Sequence, residues 1–229
     1  MAHIVVSLGG SVLIPDDRDT HFLTQVAELI RRSAEENPMV VVCGGGKVSR
    51  YYIGIAKELG ASGDQQDQLG IDVTRLNAKL LQLAIGKDCF PGIPMTVDEA
   101  ERAASRSRIV VMGGTTPGHT TDAVSAMIAE RLKAERIVNA TSVEAAYSAD
   151  PKKHSDAARY SSLTHQQLLD LVNKGIHSAG PSDVFDKLGA EVAMRSNMPI
   201  YIIDGRNLNE LGAAVRGEKI KGTIVGNRS

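Results

Sequence analysis

The sequence has no tryptophan, three phenylalanines and five tyrosines among its 229 residues. Its core must therefore be built from Val, Ile, Leu, Met and Ala, and a chain of this length is ample to form one. An excess of either charge is also lacking: 26 Lys and Arg stand against 27 Asp and Glu, a formal net charge of −1. That balance argues against a nucleic-acid or membrane-surface binder, whose contacts to phosphate need a basic excess. Any basic patch must be local and sized for a small anion. There are two cysteines, Cys43 and Cys89, with no CxxC or Cys/His spacing. They point to a reducing compartment and away from a disulfide framework or a zinc site, and Cys43, inside "MVVVCGGG", reads as a small packed hydrophobe. No apolar run approaches the roughly 20 residues of a membrane helix. No charged segment followed by a long apolar stretch opens the chain, so no signal peptide and a cytoplasmic location are expected.

What is present is an alternation of short apolar runs with amphipathic stretches. "HIVVSL" (3–8), "MVVVC" (39–43), "RIVVM" (108–112), "RIVNA" (136–140) and "PIYIID" (199–204) read as strands, and "KGTIV" (221–225) as an edge strand or final hairpin. Between them, helical spacing links Leu23, Val26, Ala27, Ile30 and Ala34, ended by Asn37-Pro38. It also links Val48, Tyr52, Ile55, Ala56 and Leu59, with Gly60 as a C-terminal cap, then Leu69 to Ala84, closed by Gly86, and Val124, Met127, Ile128 and Leu132. Thr164 with Gln167 reads as a capping box. Residues 145–162 and 175–187, rich in Gly, Ser, Pro and Asp, read as surface loops. Continuous apolar strands alternating with amphipathic helices predict an α/β fold with a mainly parallel central sheet covered by helices on both faces, a three-layer sandwich. No linker or repeat divides the chain, so 1–229 is expected to be a single domain.

In such sheets ligands bind beyond the carboxyl ends of the strands. Three of those ends carry glycines: Gly9-Gly10, Gly44-Gly45-Gly46 and Gly113-Gly114. In "SLGGSVL" (7–13) glycine lets backbone N–H groups approach a phosphate, and Ser11 adds a hydroxyl. "CGGGKVSR" (43–50) repeats the device, enters a helix whose N-terminus favours an anion, and adds Lys47 and Arg50. Neither is a GxxxxGK[ST] loop or a GxGxxG fingerprint, so no nicotinamide cofactor is expected. The most specific stretch is "VVMGGTTPGHTTDA" (110–123), which leaves a strand through two glycines and lines up four threonine hydroxyls before a helix. Metal-ligand spacing is absent. His119 reads as shaping its loop by a hydrogen bond, and His3, His154, His165 and His177 read as surface residues.

Taken together, "SLGGSVL", "VCGGGKVSRYYI", "DQLGIDVTRLNAKLL", "VVMGGTTPGHTTDAVSAMIAE", "NATSVEAAYSADPKK" and "AGPSDVFDKLGAE" before "RSNMPIYIIDGRN" resemble the amino acid kinase family, most closely its archaeal-type uridylate (UMP) kinases. The resemblance runs from about residue 3 to residue 225. It implies transfer of the γ-phosphoryl group of ATP to UMP in pyrimidine nucleotide biosynthesis. Mg²⁺ would accompany ATP, UTP is a possible feedback inhibitor, and a homo-oligomer, by resemblance a hexamer built from dimers, is expected. The nucleoside monophosphate site would lie mainly in the N-terminal half and the ATP site mainly in the C-terminal half.

By the same resemblance, Thr115, Thr116, Pro117, Gly118, His119, Thr120 and Thr121 form the UMP loop, with Gly45 and Asp67 also facing UMP. Gly10, Ser11, Gly46 and Arg50 face the ATP phosphates, and Thr141, Ser142, Tyr147 and Asp150 border the adenosine. Lys47, Glu144 and Asp186 make up the catalytic set. The sequence departs from the family in three places. Ser7 stands where many relatives carry a lysine. The family's "TNVDGVY" reads "TSVEAAY", so Glu144 replaces an organising aspartate with a carboxylate one methylene longer. Lys187 follows Asp186 where Pro or another residue is usual, and Glu191 stands where a lysine is common. The altered "TSVEAAY" keeps open a nucleotide-binding or storage protein on this fold, and a family enzyme with another acceptor is the further alternative.

Overall fold

The computed structural model describes residues 1–15, 20–149, 154–175 and 184–226. In chain order its elements begin with β1 (Ile4–Leu8), α1 (Gly10–Leu13), α2 (Thr20–Glu36), β2 (Met39–Cys43), α3 (Gly46–Glu58) and α4 (Gly63–Ile85). α5 (Val97–Ala104), β3 (Ile109–Met112), α6 (Thr121–Leu132), β4 (Arg136–Thr141), β5 (Ala146–Tyr147), β6 (Arg159–Tyr160) and β7 (Ser162–Leu163) follow. The last are α7 (His165–Gly175), α8 (Lys187–Arg195), β8 (Ile200–Asp204), α9 (Leu208–Arg216) and β9 (Thr223–Val225).

Among the described residues the main sheet has the order β3-β2-β1-β4-β8-β9-β7. β1 to β4 and β8 run parallel to their neighbours, and β9 turns antiparallel against β8. The pleat divides β1 between two cores. Ile4, Val6 and Leu8 face α2, α4 and α9 through Val26, Ile30, Leu81 and Val215. Val5 faces the opposite core, where Val124 and Ile128 of α6 meet Val192 of α8. The same alternation in β2 and β3 sends Val41 and Val111 to one side and Val40 and Val110 to the other. Both faces are therefore covered, which is why these strands read as continuous apolar runs. Cys43 is fully buried and burial pushes its thiol far up; Cys89 is pushed up to about 11. Both behave as packing groups rather than nucleophiles.

The helix signals hold locally. Gly60 (φ +78) and Gly86 (φ +79) take the positive φ that ends α3 and α4, and Thr164 exchanges both capping-box bonds with Gln167. Elsewhere the structure differs from the sequence reading. β9 is an interior strand, paired on its far side with β7, so it is not an edge. The stretch 145–162 is not wholly surface loop: it holds the β5–β6 ribbon, and Ala145 and Ala146 are buried. In 175–187, Phe185 is completely buried and α8 starts at Lys187. α5 was not legible as a helix because its buried face is alanine alone, Ala100, Ala103 and Ala104, and α8 buries Ala190 and Ala193 with a single Val192; α9 does bury Leu211 and Val215 at helical spacing, so there the signal was present. A pattern scored on large apolar residues misses alanine stripes. His154 is exposed, His177 lies outside the described residues, and His3 and His165 are half-buried; His165 Nε2 lies 2.8 Å from the Met198 carbonyl oxygen.

Candidate nucleotide site

β1, β2 and β3 are adjacent and parallel, so their three glycine turns emerge on one edge of the sheet. The first two touch back to back. A Cβ on Gly10 would lie 2.3 Å from Gly46 N and 2.5 Å from Gly44 O, both backbone. Only glycine permits that approach. Gly44 donates to Leu8 O at 2.9 Å and Gly9 to Ala140 O at 2.9 Å, which fixes both turns to the ends of the strands. Ser11 sits in the first turn of α1, and Arg50, one turn into α3, reaches across to its Oγ at 3.2 Å. Gly45 and Gly46 open α3, whose next residue is the exposed Lys47. Gly10, Ser11, Gly45, Gly46, Lys47 and Arg50 are thus brought together around two helix N-termini.

The third turn lies against α4. Thr74 Oγ1 accepts the Gly114 N–H at 2.7 Å, and Arg75 donates from Nε to Gly114 O and from Nη2 to Thr115 O, each at 3.2 Å. Farther on, Thr116-Pro117-Gly118-His119 closes a turn through His119 N–H to Thr116 O at 3.1 Å, with Gly118 at φ +82. Proline followed by a positive-φ glycine suits a type II turn. His119 shapes the loop through its backbone amide. Asp67 of α4 accepts the Gly118 N–H at 2.8 Å, so this carboxylate holds the loop.

Thr120 caps α6 by accepting the Ala123 N–H at 3.1 Å, and its hydroxyl donates to Asp186 Oδ2 at 2.5 Å. Asp186 caps α8 in turn, accepting the Gly189 N–H at 3.0 Å. This joins the N-termini of α6 and α8. Thr121 begins α6, and behind it Asp122 accepts a 2.7 Å bond from Ser7 of β1. Desolvation raises the Asp122 carboxyl to about 7; the Ser7 bond opposes the shift and the like charge of Asp186 adds to it.

On the other side of β1, Thr141 ends β4 and its carbonyl takes the Gly205 N–H at 2.8 Å. The exposed Ser142 carbonyl accepts from Arg206, itself paired with Asp204 at 2.9 Å. Tyr147 donates to Glu144 Oε1 at 2.6 Å, and Arg159 lies 3.4 Å from the same oxygen. Glu144 is thus held within the ribbon region and is exposed, while Asp186 lies at the α6–α8 junction. Lys187 is exposed and 3.9 Å from Glu191. Asp150 lies outside the described residues.

Asp122, Thr74, Arg75 and Asn77 take part in this site without having been singled out by the motifs. A signal for the α4 residues was available: Thr74 and Asn77 interrupt the face that buries Ile71, Ala78 and Leu81. A polar side chain on such a face needs a partner, and here the partners are the loops. For Asp122 the signal was an acid in the first turn of a helix that follows strand-end glycines.

Comparison with known proteins agrees with this architecture. A sequence model described as the amino acid kinase family matches residues 3–204. The uridylate kinase of Methanoculleus marisnigri is 42% identical over 98% of this chain and 96% of its own length. That of Archaeoglobus fulgidus is 44% identical over 97% and 99%. The crystal structure of the Archaeoglobus fulgidus enzyme matches with a TM-score of 0.88, covering 99% of this chain and all of that one at 42% identity. The UMP kinase of Bacillus anthracis, 21% identical, shares the fold at a TM-score of 0.81. The chain belongs to the amino acid kinase family and, within it, to the archaeal-type uridylate kinases.

Proposed function

We propose that the chain phosphorylates UMP to UDP with ATP, supplied as its Mg²⁺ complex. The observation that carries this reading is the pair of back-to-back glycine turns lying beside the 113–121 loop at one edge of the sheet. Two anions can be held there side by side: one on the turns of β1 and β2, the other on the loop after β3. Phosphoryl transfer needs little from a protein beyond such alignment and charge stabilisation. The acceptor phosphate is already ionised near neutrality, so no general base is required.

In this mechanism Gly10, Ser11, Gly46 and Arg50 hold the ATP phosphates, and Lys47 stabilises charge developing on the transferred group. Gly45, Asp67 and the loop from Thr115 to Thr121 hold UMP, and Thr141, Ser142, Tyr147 and Asp150 border the adenosine. Asp186 acts by fixing the helix N-termini through Thr120, and Glu144 by setting Tyr147. Among the described residues no three His, Cys, Asp or Glu side chains cluster to cage a metal ion. Mg²⁺ arriving as part of the substrate takes its oxygens mainly from the phosphates. Residues 1–229 work as one domain.

Self-association belongs to the same reading. Tyr51 on α3, Leu59 just past its end, and Leu76 and Leu83 on α4 are each 65% exposed or more. They form stripes on two helices that pack together, a surface suited to a second copy of the chain. A hexamer built from such dimers, with UTP as a feedback inhibitor, is the assembly and control the family resemblance supports. No helix among the described residues is long and apolar enough to cross a membrane. A coupled assay with ATP, Mg²⁺ and UMP tests the function. UDP formation is expected, and tight UMP binding with no turnover would instead mark a nucleotide-binding protein.

A further inference from the structure

α4 does more than pack. Arg75 is largely buried, with 18% of its side chain exposed, yet its only described carboxylate neighbour is Asp72 at 3.9 Å. Its guanidinium is spent on backbone carbonyls: Gly114 and Thr115 at 3.2 Å each, and Met95 at 3.5 Å. A planar fork that reaches three carbonyls fixes the segments carrying them against one helix. Asn77, two residues farther on, uses the same device on the neighbouring turn, donating to Gly44 O at 2.8 Å and Gly45 O at 3.4 Å.

The consequence follows from the trans peptide unit, in which a carbonyl and the next N–H point in opposite directions. Tying Gly114 O and Thr115 O to Arg75 turns the N–H groups of Thr115 and Thr116 away from the guanidinium. Tying Gly44 O and Gly45 O to Asn77 does the same for Gly45 and Gly46. Among the described residues, none of these four amides donates to an acceptor in the protein. They are oriented donors left for something else, at the edge of the sheet where the two anions are placed above.

We propose that Arg75 is a positioning residue for the phosphate acceptor: by holding the carbonyls of Gly114 and Thr115 against α4, it aims the Thr115 and Thr116 amides at the nucleoside monophosphate. It touches neither substrate nor the transferred group. The proposal rests on the reading that this loop is the UMP site. It differs from simple structural support in what it affects. Loss of Arg75 frees the third turn only, because the glycine turns that face ATP are held by Asn77 and by the strand ends.

The test compares wild type with Arg75→Met, which keeps much of the stem but loses the fork, and with Arg75→Lys, which restores the charge with a single donor point. Steady-state KM for UMP and for ATP is measured with each substrate varied. Amide hydrogen exchange at Gly114 and Gly118, both hydrogen-bonded to α4, is measured without nucleotide. In Arg75→Met the KM for UMP should rise about tenfold or more while the KM for ATP stays within about twofold, and both amides should exchange faster. Arg75→Lys should lie between. Equal rises in both KM values, or unchanged KM for UMP with unchanged exchange, overturn the proposal. If Arg75→Met fails to fold, the KM ratio and the exchange in Arg75→Lys decide. If wild type does not turn over UMP, the substrate reading fails, and the exchange of Gly114 and Gly118 still decides whether Arg75 holds the loop.

Discussion

Ser7 Oγ donates a 2.7 Å hydrogen bond to Asp122 Oδ1, joining residues 115 positions apart. Ser7 lies on β1, just before the first glycine turn, and Asp122 lies in the first turn of α6. The bond ties the glycine-turn end of the central strand to the helix that follows the 113–121 loop. No described cation forms an ion pair with Asp122, and the charged group acting on it is Asp186, of the same sign. Desolvation by burial raises its carboxyl to about 7, and the like charge of Asp186 adds to the shift.

This sets the sign of a pH effect on stability. An unfolded aspartate titrates near pH 4. Between about pH 4 and 7 the folded chain holds a proton here that the unfolded chain has lost, so stability falls as pH rises through that window and stays lowered above it. Asp122→Asn keeps an oxygen for Ser7 and removes the charge. Its stability relative to wild type should rise from pH 5 to pH 8, by at most about 3 kcal/mol and by less if the cleft hydrates the carboxyl. Urea unfolding at the two pH values measures the difference. A pH-independent difference would mean that Asp122 titrates normally.

Arg50 and Lys47 test the second glycine turn. Arg50 is exposed and its described contact is Ser11 Oγ, which leaves much of its donor fork for a phosphate. Arg50→Ala and Lys47→Ala should each lose on the order of 1–3 kcal/mol of transition-state binding, read as kcat/KM with ATP varied. Wild-type kinetics in both would leave the turnover to the backbone N–H groups.

The sheet, both of its faces and the three glycine turns were legible in the sequence, since β-rich apolar runs buried on two sides leave a strong signal. Strand β2 is the clearest case, with Met39–Cys43 wholly buried. The site was legible where it rests on motifs, as at Gly10, Gly46 and Thr115. It was not legible where it rests on bonds between distant segments. Arg75 reads as an ordinary helix arginine until Gly114 and Thr115 lie beside it, and Asp67, expected to face UMP, is found holding the loop through Gly118. Ser7, noticed only as a missing lysine, became meaningful through Asp122.

Glu144 separates a catalytic carboxylate from a local one. Its oxygen takes the Tyr147 hydroxyl at 2.6 Å, a bond that holds the Tyr147 pKa above the usual phenol range. On this geometry Glu144→Gln, which can still accept that bond, should leave kcat within about threefold, whereas loss of a transition-state contact costs tenfold or more. Steady-state kinetics with ATP varied decide. A drop in kcat of a hundredfold would place the carboxylate at the phosphates.

Acceptor choice follows from the loop. A pocket whose backbone and hydroxyl groups pair with the uracil edge leaves those groups unpaired against cytosine or adenine, and such mismatches are heavily penalised. UMP should be preferred to CMP and AMP by about a hundredfold or more in kcat/KM. Equal turnover of UMP and CMP in the coupled assay would remove the base-reading role of 115–121.

Two glycines make opposite predictions for the same substitution. Gly54 lies inside α3, and a Cβ there meets nothing within 4 Å. Gly54→Ala should therefore stabilise the chain by about 0.5–1 kcal/mol through helix propensity alone, with kinetics unchanged. Gly10 is already helical in α1, but its Cβ would sit 2.3 Å from Gly46 N and 2.5 Å from Gly45 C. Those atoms are backbone and cannot swing aside as a side chain does, so Gly10→Ala must separate the two glycine turns. The overpacking should cost about 1–3 kcal/mol of stability. If these turns hold the donor phosphates as proposed, a displacement approaching 1 Å should also lower kcat about a hundredfold. Thermal unfolding and steady-state kinetics on the two variants test this together. If Gly10→Ala loses stability but keeps full kcat, the contact between the turns serves the fold and does not align the reacting groups.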